Sequence, residues 1–432
     1  MDRNFAIRGI ICYTPGADGL VVRENAYAVC EEGVCRGVFD ALPERFGALE
    51  VVDCTDRLVL PGLVDLHIHA PQYAYCGTGM DYELMEWLDR VAFPEEMRYA
   101  DADYAARAYG LFARSLKQSA TTRAVVFGTL HVQATLLLMD CMEQSGLVSY
   151  VGKVNMDRDA PPELTEESAE RSAADTRRFI LESARRNYRR TKPILTPRFV
   201  PSCTDALMAA LGGIRREYGL PVQSHLSENP DEVALVGRLQ PEAAFYGDAY
   251  DRFGLFGDAG GSAPGLNTVM AHCVYSTPEE VQRLLDNGVW VAHCPSSNMN
   301  LGSGIAPVRR YLERGLRVGL GSDVAGGTTE SMFRAVTDAI QVSKLYWRYI
   351  DREAKPLTFP ESLYLATKGG GAFFGKVGSF EDGYAFDAVV LDDSVEPQAR
   401  RLPAASRLER AFYRELDKNG IAMKFADGER IL

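Results

Sequence analysis

The sequence predicts an α/β protein: a (β/α)8 (TIM) barrel with a small β-sandwich domain that both chain ends build. Between residues 59 and 377, short β-branched apolar runs alternate with longer amphipathic segments, and turn-linked strands occur before and after that range. Such alternation is typical of parallel βα units. A doubly wound sheet is the alternative. It usually binds its ligand through a Gly-rich first turn, and none follows the first run here.

Eight apolar runs are the predicted barrel strands, and each is followed by a segment of helical character. They lie at residues 58–68, 120–130, 149–156, 193–200, 220–227, 267–273, 289–295 and 316–323. We therefore expect the barrel at 59–377, with 1–58 and 378–432 forming the two parts of the β-sandwich domain.

Composition and charge exclude several classes of function. The 432 residues are 46% hydrophobic and 25% charged, as expected for a globular protein in solution. A net charge of -12 disfavours nucleic acid or an anionic membrane as the partner, but not a small molecule. No apolar stretch approaches the ~18 residues of a membrane span. Nine scattered cysteines without a C-x-x-C pair, and no signal-like N-terminus, predict a cytoplasmic protein.

The six histidines carry the functional signal. His67 and His69 end the first predicted strand, and the two-residue period of a strand points both to one side. His225, His272 and His293 each fall at or near the end of a later strand. His131 follows the second strand and Asp323 ends the eighth. In a barrel these carboxyl ends meet at one mouth, where active sites form.

Four of these groups form a predicted metal site: His67, His69, His225 and Asp323. Nitrogen and oxygen ligands suit Zn²⁺ or Fe²⁺. An ion with an open position lowers the pKa of a bound water towards ~7. The fourth predicted strand, PILTPRFV, lacks the lysine that a carboxylated-lysine dinuclear site needs, so we expect one ion per chain.

Two further residues at the mouth are predicted to handle protons. Glu228 follows His225 by three positions in SHLSENPDE, where a carboxylate can take a proton from water and pass it on. His272 is placed to orient or deprotonate that water.

At this point the motifs resemble the amidohydrolase superfamily. They are PGLVDLHIHAPQY, SHLSEN, AHCPSSNMNLGSG and GLGSDVAGGTT. Within the superfamily the chain is most similar to the guanine-deaminating enzymes. The strongest piece is HIHAPQYAYCGTGMDYELMEWLDRVAFPEEMRY, and the similarity runs from about residue 58 to 380.

The resemblance implies hydrolytic deamination of guanine to xanthine and ammonia by a homodimeric zinc enzyme. It implies that Glu228 protonates ring N3 and later the leaving amine, and that Asp323, besides its role as a ligand, accepts a proton from the attacking water. It also implies a set of purine-contacting residues: Gln72, Arg198, Phe199 and His225.

The side-chain chemistry of the purine-contacting residues is consistent with that role. An amide such as Gln72 offers both a donor and an acceptor, and a guanidinium such as Arg198 donates in a fork. The alternative for Arg198 is a structural salt bridge. For Trp87, packing of its helix is favoured over a place in the pocket wall.

Other functions make different demands on the sequence. The same metal site could deaminate 8-oxoguanine, a pterin or a triazine, and Gln72 and Arg198 would discriminate among these. A non-catalytic barrel used for binding predicts missing ligands, yet all four are present with Glu228 and His272. Enzymes that edit bases within nucleic acid carry H-x-E and P-C-x-x-C, and neither pattern occurs.

Overall fold

The computed structural model describes residues 3–263 and 265–432, and these form seventeen strands in four sheets. The strands are β1 (Phe5–Gly16), β2 (Gly19–Glu31), β3 (Val34–Phe39), β4 (Glu50–Pro61), β5 (Leu63–His69), β6 (Thr121–Phe127), β7 (Val148–Gly152), β8 (Val154–Asn155), β9 (Thr191–Pro193), β10 (Thr196–Pro197), β11 (Val222–Leu226), β12 (Thr268–His272), β13 (Trp290–His293), β14 (Arg317–Leu320), β15 (Ala388–Leu391), β16 (Ile421–Ala426) and β17 (Glu429–Arg430).

The same residues form fourteen α-helices, most of them between the parallel strands. They are α1 (Leu84–Trp87), α2 (Phe93–Glu96), α3 (Ala102–Gln118), α4 (Val132–Ser145), α5 (Ala169–Arg185), α6 (Asp205–Tyr218), α7 (Pro230–Leu239), α8 (Asp248–Asp251), α9 (Pro278–Asp286), α10 (Pro295–Asn300), α11 (Val308–Glu313), α12 (Met332–Tyr349), α13 (Phe359–Tyr364) and α14 (Ala404–Tyr413). Across the described ranges, no helix is long and apolar enough to cross a membrane.

Every predicted central strand is present, and all of these strands pair in parallel. Two four-stranded sheets have the orders β5-β6-β7-β9 and β11-β12-β13-β14, and β8 pairs with β10. A bridge between Leu195 and Val222 joins the two halves. On the other side, the segment that follows β14 lies against β5. There the amide of Asp323 donates to the carbonyl of His67 over 2.8 Å. The carboxyl ends of these strands therefore lie around one common mouth.

The first predicted strand, 58–68, is wrong as a single element. The chain changes sheets within it, since β4 ends at Pro61 and β5 begins at Leu63. Gly62 lies so close to the next strand that an added Cβ would be 2.2 Å from the Thr122 hydroxyl. The apolar run continues through this crossing because both strands are buried, so hydrophobicity does not mark the change.

Local sequence explains where the helices begin and end. Asp101 caps α3 by accepting two backbone N–H groups, and the apolar residues Ala105, Ala108 and Phe112 form the buried stripe of that helix. Gly146 and Gly219 end α4 and α6 with left-handed φ angles of 83° and 62°. Only glycine adopts this conformation without a steric penalty, so each helix turns back at these residues towards the next strand.

The chain ends build one seven-stranded sheet, with the order β17-β16-β15-β4-β1-β2-β3. This sheet curls over itself. Phe5 on β1 and Phe425 on β16 stand three strand spacings apart, roughly 14 Å in a flat sheet, yet their ring centroids are 5.0 Å apart. A further bridge joins Val34 to Ala385, just before β15. The two facing layers of this terminal unit are therefore halves of a single curled sheet.

Two buried cations connect the terminal sheet to the parallel strands. Arg123 on β6 pairs with the fully buried Asp387 over 2.6 Å and with Asp427 over 2.5 Å. Lys424 on β16 is also fully buried, and its ammonium donates to the backbone carbonyls of Leu116, Ser119 and Thr121 at 2.8–3.1 Å. These contacts fix the terminal sheet against the start of β6.

Candidate metal and substrate site

The four predicted ligands converge at the mouth of the parallel strands. His67 and His69 project from the end of β5 to the same side, as the strand period predicts, and His225 comes from β11. The Nε2 atom of His69 lies 3.2 Å from that of His67 and 3.2 Å from that of His225. The Oδ1 atom of Asp323 lies 3.2 Å from His67 and 3.4 Å from His69. All four side chains are buried.

These spacings fit a metal ion. Ligand atoms about 2.0–2.1 Å from a tetrahedral centre lie roughly 3.3 Å from one another. The measured separations of 3.2–3.4 Å match that value. The donor set of three imidazoles and one carboxylate suits Zn²⁺ and is also accepted by Fe²⁺.

Protonation at the cluster also favours metal binding. Burial, reinforced by the neighbouring imidazole of His67, holds the pKa values of His69 and His225 well below the ordinary histidine value, so both rings are neutral. Burial opposes ionisation of Asp323. The imidazoles of His67, His272 and His69 outweigh it and lower the pKa of that carboxyl. Neutral rings and an ionised carboxylate are the forms that ligate a metal.

Neighbouring groups orient the ligands. The Nδ1 atom of His225 lies 2.6 Å from the carbonyl of Arg198, so Nδ1 carries the proton and Nε2 presents a lone pair to the cluster. Asp65 is fully buried and accepts from the backbone amides of His67 and Ser322, each over 3.1 Å. It thereby joins the end of β5 to the segment that carries Asp323. Burial raises the pKa of Asp65 to about 6.

The backbone around the site is unusual. His272 and Asp323 have left-handed φ angles of 75° and 49°, and Ser227, just before Glu228, has φ 48°. Non-glycine residues adopt this region at an energetic cost and are concentrated at functional sites. At these strand ends His272, Asp323 and Glu228 all line the cavity.

Glu228 stands beside the ligand cluster and is buried. Its Oε1 accepts from the Ser303 hydroxyl over 3.2 Å, and its Oε2 lies 3.3 Å from Nε2 of His272. Burial, together with the negative charges of Asp323 and Glu232, raises its pKa well above the ordinary value. A raised pKa favours the protonated carboxyl, which is the form that can act as an acid. Its position is fixed because Glu232, in the capping box of α7, accepts from the Glu228 amide.

Asn298 sets the orientation of His272. Its Oδ1 lies 2.9 Å from Nδ1 of the imidazole, which assigns the ring proton to Nδ1. The unprotonated Nε2 then faces the site, 3.3 Å from Glu228 and 3.7 Å from Oδ2 of Asp323. The structure therefore places His272 where sequence reasoning expected a proton acceptor or a group that orients water.

Two predicted purine-binding residues share one buried carboxylate that sequence reasoning did not identify. Glu96 accepts from Nη1 of Arg198 over 2.6 Å and from Nη2 over 3.1 Å, and it also accepts from Nε2 of Gln72 over 2.9 Å. Arg198 thus makes the salt bridge considered as an alternative while it also lines the cavity. Only the FPEE segment in α2 could have pointed to Glu96, and that segment reads as an exposed helix.

A small cavity lies directly over the cluster. Its lining combines the ligands and Glu228 with Gln72, Arg198 and Phe199, and it is closed by apolar side chains that include Leu84, Trp87, Leu88 and Leu301. The expectation that Trp87 serves only helix packing is incomplete. The ring lies 6.0 Å from Tyr75 and is also part of the cavity wall.

The cavity has little free space. Its free volume is about 30 Å³, enough for two or three water molecules, since each needs roughly 10–15 Å³. A heterocyclic base is larger than this free volume. The wall residues Leu84, Trp87 and Leu88 lie close together in one short segment.

The comparisons with known proteins agree with this geometry. A model of the amidohydrolase family matches residues 58–431. The chain is 41% identical over 337 residues to a guanine deaminase of Mus musculus, covering 77% of this chain and 72% of the relative. With a guanine deaminase of Escherichia coli K12 the identity is 34% over 391 residues, covering 89% and 85%. The chain belongs to the guanine deaminases of the amidohydrolase family.

A solved structure of this family superposes over the whole chain. The crystal structure of the guanine deaminase from C. acetobutylicum, with guanine bound in its active site, has a TM-score of 0.93 and 43% sequence identity. The match covers 99% of this chain and 100% of that chain. At this similarity the amidohydrolase architecture extends to the terminal sheet as well as to the parallel strands.

Proposed function

We propose that this protein catalyses the hydrolytic deamination of guanine to xanthine and ammonia with one divalent metal ion per chain. One observation carries the proposal. Four buried ligand side chains lie beside the acid Glu228, beneath a cavity lined by Gln72 and Arg198, and the ligand atom of His69 is 3.2–3.4 Å from those of the other three. Membership of the guanine deaminases supports guanine as the substrate.

The proposed metal ligands are His67, His69, His225 and Asp323. Zn²⁺ is the ion we expect, and Fe²⁺ is the alternative that the same ligands accept. When bound, the ion supplies a nucleophile at neutral pH by lowering the pKa of water.

The chain's own residues move the protons. Glu228 in its protonated form, which its raised pKa favours, donates to ring N3 of guanine, and this makes C2 electrophilic. The Oδ2 atom of Asp323, turned towards His272 at 3.7 Å, accepts a proton from the attacking water while His272 orients that water. The Glu228 carboxylate then takes the proton of the new C2 hydroxyl and passes it to the exocyclic nitrogen, and the proton held by Asp323 restores the acid form of Glu228. The C2–O bond replaces the C2–N bond, and the amine leaves as ammonia.

The purine is proposed to lie between the metal ligands and the apolar wall. Gln72 and Arg198 donate to its polar edge, and Phe199 and His225 border the same space, with their ring centroids 6.3 Å apart. No nucleic acid or membrane is expected as partner, in keeping with the net charge of -12. The homodimer implied by the family resemblance stays a prediction.

We further infer that the parallel strands close into a (β/α)8 barrel. The bridge between Leu195 and Val222, and the hydrogen bonds that join Asp323 and Val324, just after β14, to His67 and His69 on β5, support closure at both places where the sheets end. The terminal sheet forms the second domain. Because β4 stays in that sheet up to Pro61, we place the change of domain at Gly62 rather than at residue 59.

A substrate panel tests the function. Ammonia release by metal-analysed protein is followed with guanine, 8-oxoguanine, isoxanthopterin, adenine and cytosine, and with Glu228→Gln as the control. We expect guanine to be strongly preferred, and the variant to lose about 10²–10⁴-fold in kcat while still folding, because it removes the acid. Turnover of another ring with guanine inert would reject the substrate assignment. If no base is turned over although metal is bound, the proposal that this protein is a deaminase is rejected.

A further inference from the structure

We propose that Glu96 is a positioning residue that restricts this enzyme to purines with a hydrogen-bond acceptor, such as a carbonyl oxygen, at C6. The inference rests on the proposed function and names its substrate requirement. Glu96 is only 3% exposed and does not line the cavity, so it acts through the two side chains that do.

The direction of the Gln72 amide follows from its neighbours. Its oxygen accepts from the backbone N–H of Ala325 over 3.0 Å, and its nitrogen donates to Glu96 over 2.9 Å. A backbone N–H offers only a donor and an ionised carboxylate offers only acceptors. The amide therefore cannot flip without losing both bonds, and the free hydrogen on Nε2 is left to point towards a ligand.

Glu96 holds Arg198 in the same way. It binds both terminal nitrogens of the guanidinium end-on, at 2.6 and 3.1 Å, and the pair is buried, with side-chain exposures of 4% and 4%. Both carboxylate oxygens of Glu96 already accept from Arg198, so the remaining N–H groups of the guanidinium need acceptors elsewhere. A guanidinium has donors and no acceptor.

The polar wall of the cavity therefore presents N–H groups from both side chains. A purine satisfies them only with acceptors on the facing edge. Guanine offers O6 and N7 there, whereas a 6-aminopurine presents an N–H₂ donor beside N7. A site built around such bonds discriminates strongly, because an analogue without the acceptor leaves buried donors unpaired. Without Glu96, Gln72 and Arg198 would be free to rotate, and this discrimination would weaken.

The test compares guanine with 2-aminopurine, which keeps the amine at C2 but has only hydrogen at C6. For wild type, Glu96→Gln and Glu95→Gln, kcat/KM is measured on both bases. Glu95 is the matched control, since it is adjacent, carries the same charge and pairs with Arg98 at 3.0 Å outside the cavity. Metal content and Tm are recorded for each protein.

We expect wild type to prefer guanine by at least about 100-fold. In Glu96→Gln the activity on guanine should fall about 10- to 100-fold, the cost of losing hydrogen bonds to a charged group. Activity on 2-aminopurine should fall much less, so the preference for guanine over 2-aminopurine should decrease by about tenfold or more. Glu95→Gln should keep the wild-type ratio.

Three outcomes would overturn the inference. They are a wild-type preference under about tenfold, an equal loss on both bases in Glu96→Gln, or the same narrowing in Glu95→Gln. If Glu96→Gln does not fold, Gln72→Leu replaces it in the test. That variant must then lower the ratio of kcat/KM on guanine to kcat/KM on 2-aminopurine in the same way. If the wild type does not deaminate guanine, the proposed function is rejected instead. Failure of the Glu96 inference can therefore be distinguished from failure of the proposed function.

Discussion

At the scale of single residues, His67 and His69 show how a simple sequence period brings two candidate metal ligands together. Their spacing of two in a buried strand brings both Nε2 atoms to one side, 3.2 Å apart. No loop has to be ordered to bring them together. The remaining ligands come from neighbouring strand ends, where the chain already turns.

The raised pKa of Glu228 predicts a pH dependence. Since the reaction needs the protonated carboxyl, kcat/KM for guanine should fall tenfold per pH unit once the pH exceeds that pKa. At lower pH the acid form is complete and this cause of loss is absent. The measurement is a pH–rate profile of wild type beside Glu228→Gln.

The variant serves as the control because ionisation of guanine itself affects both proteins alike. Its weak residual activity should fall at alkaline pH only as far as the ionisation of guanine requires. Wild-type activity should fall further, because Glu228 also loses its proton. An identical alkaline limb in both proteins would mean that Glu228 is not the acid.

Sequence predicted the residues that approach the reacting atoms better than those that support them. The ligands and Glu228 follow from strand ends and residue chemistry. Asp65 could have been found, because the period of two puts it on the same side as His67 and His69. Glu96 and Asn298 could not, since each acts on residues distant in sequence and lies in a segment with no distinguishing pattern.

At the scale of elements, the parallel strands were predictable because each is a short apolar run bounded by a turn. The crossing at Gly62 was not, because hydrophobicity continues through it. The curl that brings Phe5 to Phe425 was likewise invisible, since it depends on pairing between opposite ends of the chain.

The contact between Arg123 and Asp387 should be essential to the docking of the terminal sheet. Arg123→Met leaves Asp387 fully buried without its partner cation, so the free energy of unfolding should fall by about 3–5 kcal/mol. Urea unfolding followed by circular dichroism measures the change.

A surface pair provides the comparison. Arg23 and Asp40 are 40% and 70% exposed, so Arg23→Met should lower the free energy of unfolding far less than Arg123→Met does. Adding Asp387→Asn to Arg123→Met should recover part of the loss. Equal effects at both pairs would show that the buried pair does not secure the sheet.

At the scale of the whole molecule, the fold concentrates function at one end. The parallel strands direct the proposed ligands, the proposed proton-transfer residues and the proposed purine-contacting residues to a single mouth, and residues of the short segment 84–88 line its wall. The terminal sheet contributes none of the residues proposed for catalysis. Its role is to support the other end of the strands through Arg123 and Lys424.

The most direct test of the central claim is a metal titration of the metal-free protein. Zn²⁺ is added stepwise while xanthine formation from guanine is measured. Because the ligand atom of His69 lies 3.2–3.4 Å from those of His67, His225 and Asp323, the four are proposed to share one ion, and activity should rise linearly and stop rising at one equivalent per chain. Bound metal should also raise Tm, since it binds only the folded state. No xanthine at one equivalent, or activity that saturates only at two, would contradict the account.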